Sequence, residues 1–249
     1  MKNKKRLRKG EKRKINWDSL VADLVKNCEH YYTYFYEYNK FTGPSIHFHK
    51  RALTSTGNEK SEMTYAMLVS WGMHRMGSNG AKMNNYKDFN DSISLTLNDI
   101  QQLKSKKLES ITENDMNKFE TIFNNLNPMQ TSKKVVAVSK ILAHYLPKVI
   151  APIDNEYTFQ FICQEPKKTN PPRNWKEFEL FKEIHLQLYK KVIENKNFFS
   201  SAKKWLNNPI YPMDTSLPKI VDNLIVGKIS HLKKTDKKYK KLKKTSTLV

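Results

Sequence analysis

KVVAVSKILAHYLPKVIAPIDNEYTFQF, residues Lys134 to Phe161, reads as a helix, a short proline-marked connection and a second helix. Val135, Val138, Leu142 and Tyr145 recur at three- and four-residue spacing, the period of one buried helix face. Pro147 and Pro152 close the first helix and set up the next, because proline lacks the N–H that a helix interior needs. Asp154 stands where an N-cap belongs, just before EYTFQFI. Lys140 is expected near the start of the first helix, so an amine and a carboxylate are drawn toward one crevice.

The rest of the chain supplies a scaffold and two charged ends. At 249 residues it can bury a large core, as one domain or as two packed subdomains. Residues 1–14 carry nine Lys or Arg against one Glu, and residues 228–244 carry nine Lys against one Asp. Of the formal net charge of +21, only +5 therefore belongs to the residues between. Blocks of like charge have little to bury, so the expected organisation is a basic flexible N-terminal arm (1–14), a helical core (15–227) and a basic C-terminal tail (228–249). Such ends suit a polyanion, whose counterions are released on binding. The bias of 39 Lys over six Arg also allows plain solvation. The tails lack the apolar face of a membrane-surface helix. No apolar run reaches the length of a membrane span, and the apolar stretch LVADLV is too short for a signal core. Two isolated cysteines, Cys28 and Cys163, fit a reduced, cytoplasmic protein.

Outward from the central stretch, helical spacing predicts helices at about 17–38, 59–76, 88–107, 112–125, 175–195, 198–206 and 216–225. Thr112 with Asp115 forms a capping box with Asp in place of Glu. No segment alternates with period two, so the fold class is all-α. The five tyrosines of YYTYFYEY (31–38) pack the core or stack on bases. FTGPSIHFHK (41–50) reads as a Gly-Pro turn and a short extended segment, in which His47 and His49 would share one face. No neighbouring carboxylate or thiol completes a metal-ligand set with them, and no cofactor motif is visible. In WGMHRMG (71–77), Gly77 is the expected helix C-cap, and Trp71, His74 and Arg75 are candidate walls of a substrate site. Arginine is scarce outside the N-terminal arm, so its planar fork at Arg75 and Arg173 suits a phosphate, a base edge or a carboxylate. Arg173 lies in the proline-rich loop QEPKKTNPPRNW (164–175), where it can touch a nucleic-acid backbone.

A lysine enclosed by apolar groups can act as an amine nucleophile, and a carboxylate beside it can stabilise developing positive charge. N-glycosidic bond cleavage needs both. SKILAHYLPKVIAPID resembles the catalytic segment of the helix-hairpin-helix DNA glycosylases, particularly their eight-oxoguanine-glycosylase-like branches. The resemblance implies an all-helical fold acting on double-stranded DNA with the target base extruded. It implies Lys140 as the Schiff-base nucleophile and Asp154 as the essential carboxylate. Val136, Ala137, Val138 and Ser139 stand where that family has a glycine-rich, phosphate-binding hairpin, and the fourteen-residue interval from Lys140 to Asp154 is shorter than the family's. GPSIHFH and WGMHRMG also resemble uncharacterised prokaryotic proteins that pair them with an SKxLxHxLPxxxxPxD segment.

The expectation is thus a cytoplasmic DNA glycosylase, nucleoid-associated in a prokaryote, with Asp154 and Lys140 catalytic and Trp71, His74, Arg75, Arg173, His47 and His49 contacting substrate. No cofactor and no metal are expected. The alternative is a nucleic-acid-binding module without chemistry, for DNA or RNA. A metal-dependent nuclease is third, although no PD-ExK-like or HNH-like set is visible.

Overall fold

A computed structural model describes residues 14–38, 43–75, 82–164, 175–206, 208–211 and 213–235. Every regular element among them is helical, with one isolated antiparallel bridge between Met83 and Met129. In order they are α1 (Trp17–Lys26), α2 (Cys28–Tyr38), α3 (Pro44–Thr54), α4 (Gly57–Ser70), α5 (Tyr86–Ser94), α6 (Leu97–Leu103), α7 (Glu113–Asn125), α8 (Val135–Tyr145), α9 (Thr158–Cys163), α10 (Glu177–Glu183), α11 (Lys191–Glu194), α12 (Lys196–Trp205) and α13 (Leu217–Thr235). A π-helical stretch, Ile184–Lys190, joins α10 to α11 in one rod. Buried side chains from Leu20 to Ile229 form one contiguous cluster, beside a small satellite of Phe35, Met213 and Val226. No helix among the described residues is long and apolar enough to cross a membrane.

Local chemistry moves several of the expected boundaries. The first long helix divides at Asn27, whose side-chain amide bonds back to the Asp23 carbonyl (3.1 Å) and carboxylate (3.2 Å). The expected extended segment after Gly43 is helix α3. Gly43 has φ 104° and Pro44 supplies a preset φ at the first helical position. Helix α4 stops at Gly72 (φ 77°) rather than Gly77, and a single turn, Met73–Arg75, follows. The 88–107 helix breaks at Thr96, whose hydroxyl donates to the Ile93 carbonyl at 2.8 Å. The Thr112–Asp115 box forms as expected: Asp115 N donates to Thr112 Oγ1 and Thr112 N to Asp115 Oδ2.

The C-terminal tail begins later than residue 228. Helix α13 runs to Thr235, with Ile229 in the core and Lys228 paired with Asp23. It packs along α2, and the two backbones are close at Gly227. A Cβ there would lie 2.0 Å from the Tyr31 carbonyl oxygen. The basic arm up to residue 13, most of the basic tail and residues 165–174 of the loop carrying Arg173 lie outside the described residues.

Candidate active site

Helix α8 is buried on nearly every side, and Lys140 is among its buried residues at 8% exposed. A charge taken from water is costly unless it is paired, so the lysine needs a partner. Asp154 is that partner: Lys140 Nζ lies 3.1 Å from Asp154 Oδ2. Lys140 sits in the middle of α8, however, not at its start. The helix begins at Val135 because the Glu177 carboxylate of α10 accepts from Lys134 N at 2.6 Å and Val135 N at 3.1 Å. Val136, Ala137, Val138 and Ser139 are consequently helical, and the amide end of α8 is occupied by a carboxylate of the same chain.

Asp154 divides its two oxygens between two tasks. Oδ1 accepts from Glu156 N (2.7 Å) and Tyr157 N (3.3 Å), capping the turn that leads into α9, while Oδ2 faces Lys140. Burial pushes this carboxyl up, but the Lys140 ammonium and the two backbone donors outweigh it and hold the group below the usual carboxylate range. The strand of backbone before it is fixed from three directions. Ile153 N donates to Ser139 Oγ (2.9 Å), Ala151 N to His185 Nε2 (3.3 Å), and Tyr189 Oη to the Pro152 carbonyl (3.3 Å). His185 and Tyr189 both come from the π-helical stretch, a rare geometry that often marks functional sites.

The pair opens into a cavity of about 220 Å³. Trp71 forms one wall, its ring centroid 5.0 Å from Lys140 Nζ, and Pro152, Tyr157 and Ile46 form others. A second amine and carboxylate enter from α13, where Lys219 and Asp222 form a salt bridge across one turn. Burial raises the Asp222 carboxyl, Lys219 partly offsets this, and the neighbouring Asp154 charge raises it further. Burial and the Glu156 and Asp154 charges push Tyr157 up to about 12. Lys233 pairs with Glu156 and lies 4.7 Å from the Tyr157 ring, adding a cation beside this wall. The site therefore holds two Lys–Asp couples among apolar and aromatic walls.

Behind Trp71 lies a line of buried imidazoles. His144 Nδ1 donates to the Lys140 carbonyl (2.7 Å), which leaves His144 Nε2 to accept from His49 Nδ1 (2.8 Å). His49 Nε2 then remains a buried acceptor without a partner in the described structure, facing a void of about 10 Å³ shared with Ser216 and Lys219. That space is of the size one water fills. Burial holds His144 down at about 4 and His49 well below its ordinary value, so both rings are neutral near pH 7.

Several of the expected contact residues lie elsewhere. In helix α3, residues two apart point to different sides: His49 is buried against Trp71, whereas His47 is exposed and lines no part of the cavity. His74 is exposed, and its Nδ1 lies 3.0 Å from the Val69 carbonyl near the end of α4. Its place in the short turn after Gly72 carries it off the cavity wall. The Arg75 side chain and all of Arg173 lie outside the described residues.

Other groups in the site escaped the sequence reading. Lys219 and Asp222 are charges set in LPKIVDNLIV, an otherwise apolar run, and that placement was the signal to notice. Within the tyrosine cluster, Tyr32 and Tyr36 donate to the buried Asp214 (2.7 Å each), Asn223 also donates to it, and Tyr32 stacks on Trp205 at 3.8 Å. This network anchors the segment that places Met213 in the cavity wall. Among the described residues no group of three or more potential ligands could hold a metal ion. Comparison with family models, with curated proteins and with solved structures found no match.

Proposed function

We propose that the chain is a DNA glycosylase that takes an extruded base into the Lys140–Asp154 cavity and cleaves its N-glycosidic bond. The observation that carries this reading is an ionised Asp154 beside Lys140 at 3.1 Å, inside an aromatic-walled cavity. As the C1′–N bond breaks, the base leaves with the electron pair and the sugar gains oxocarbenium character. Asp154 lies across from that charge and stabilises it. Water then forms the C1′–O bond, and its proton passes to the Asp154 carboxylate and from there to the departed base, which takes it up as its N–H. Lys140 orients Asp154 in this hydrolytic course; in a lyase course its amine would attack C1′ instead. Trp71 supplies a flat face for the base, and Lys219 with Asp222 supplies donors and acceptors for its edge. The basic ends supply sequence-independent affinity for the phosphate backbone.

Incubation with duplexes carrying normal, damaged and modified bases, in chelator and followed by alkali, tests the proposal. Strand cleavage that disappears in Asp154→Asn is expected, and borohydride trapping that depends on Lys140 would identify the lyase course.

A second reading is favoured by one feature of the same geometry. Both lysines are already neutralised by their own aspartates, as in a structural latch. A nucleic-acid-binding module of this kind would bind DNA in a salt-sensitive way, release no base, and keep its affinity in Asp154→Asn.

A further inference from the structure

At the C-terminal end of α8 lies a larger cavity, of about 660 Å³, within the range of small-molecule sites. Its charge is one-sided. Lys60, Lys104 and Lys148 line it, no Asp or Glu does, and none of the three lysines forms an ion pair with a described residue. The amide end of α4 also faces this space through Ser55, Thr56 and Gly57. Thr56 occupies the N-cap position without a side-chain hydrogen bond, so the first-turn N–H groups of this 14-residue helix lack that partner. Ser55 supplies an independent sign of a missing ligand. It is only 8% exposed, yet its hydroxyl has no hydrogen-bond partner.

Lys60 is held in place by its own fold. Its Nζ donates to the Ala52 (2.9 Å) and Leu53 (3.4 Å) carbonyls at the end of α3, leaving one N–H free, and it lies 5.2 Å from the Tyr145 ring. Burial, with a smaller contribution from the Lys104 charge, lowers it to about 8, as expected of an ammonium partly buried without a counter-ion.

We infer that this cavity is a binding site for a small phosphorylated ligand of nucleotide size, with its phosphate held by the α4 amide end, Ser55 and the three lysines. Helix N-termini bind phosphate through amide donors and dipole together, and the lysines supply the opposing charge. The volume left beyond the phosphate takes the remainder of the ligand against Tyr145. The site shares no lining residue with the Lys140–Asp154 cavity, so it stands whether or not that cavity cleaves bases.

Calorimetric titration of the full chain with adenosine 5′-monophosphate, adenosine 5′-diphosphate, inorganic phosphate and adenosine tests the inference. One nucleotide should bind per chain, adenosine should not, and inorganic phosphate should bind at least tenfold more weakly than the better nucleotide. Lys104 and Lys148 are both exposed, so Lys104→Ala/Lys148→Ala should fold and weaken the nucleotide at least tenfold. Ser55→Ala should weaken it further, and Asp154→Asn should leave it unchanged. No saturable binding, or binding unaltered in the double variant as the basic ends alone would give, overturns the site. Inorganic phosphate bound as tightly as the nucleotides overturns the nucleotide-sized ligand.

Discussion

Asp154 is both a cap and a counter-ion, and its two oxygens separate these roles. Asp154→Asn keeps an acceptor for the Glu156 and Tyr157 amides but removes the charge facing Lys140. Breaking a fully buried pair costs about 3–5 kcal/mol, and because the Asp154 side chain keeps 31% exposure the expected loss is nearer about 1–3 kcal/mol. Activity should fall much further, by about 10²–10⁴-fold. The stability effect has a defined pH window. Since the folded carboxyl is held below its ordinary value, its contribution is full above the unfolded value near 3.8 and lost as pH falls through the folded one. Chemical denaturation of the wild type and Asp154→Asn should therefore differ at pH 7 and converge in strong acid. This couple was legible in the sequence because both residues flank one proline-marked connection. Lys219 and Asp222 were not, since only tertiary packing carries α13 to that cavity.

Helices, too, were legible only where their signals are local. The Thr112–Asp115 box and the apolar face of α8 announced themselves by spacing. The start of α8 did not, because its cap is Glu177, more than forty residues away and visible only after folding. Glu177→Ala should destabilise the protein by about 1 kcal/mol, in line with other lost caps, as read from the urea midpoint. The helical state of GPSIHFHK was similarly hidden, since a Gly-Pro pair opens a turn as readily as a helix. At the α2–α13 contact the constraint is steric. Gly227→Ala sets a methyl against the Tyr31 carbonyl, so the helices must separate, at a cost of about 1–3 kcal/mol. A Gly227→Ala variant as stable as the wild type would show that the two helices pack less closely.

Over the whole molecule, the buried histidines set the response to acid. Burial holds His144 and His185 down at about 4, against their backbone hydrogen bonds, which act in the opposite direction. Unfolded imidazoles take up protons near pH 6.5, so the stability these neutral rings contribute is full above that value. It is lost as pH falls toward 4, by about 3 kcal/mol for each ring. The melting temperature should drop steadily across this window, and a flat profile would show that these rings are not buried. The +16 carried by residues 1–14 and 228–244 acts at longer range. Removing residues 1–13 and 236–249 should weaken DNA binding and flatten the dependence of log K on log salt, because fewer counterions are released.

The central claim is that the Lys140–Asp154 cavity cleaves N-glycosidic bonds. Mass-spectrometric detection of free base from a duplex panel, with wild type and Asp154→Asn side by side, tests it most directly. Release of one class of base by the wild type, reduced at least a hundredfold in the variant while DNA affinity stays the same, is the predicted result. DNA bound tightly by both proteins with no base released from any duplex would contradict it.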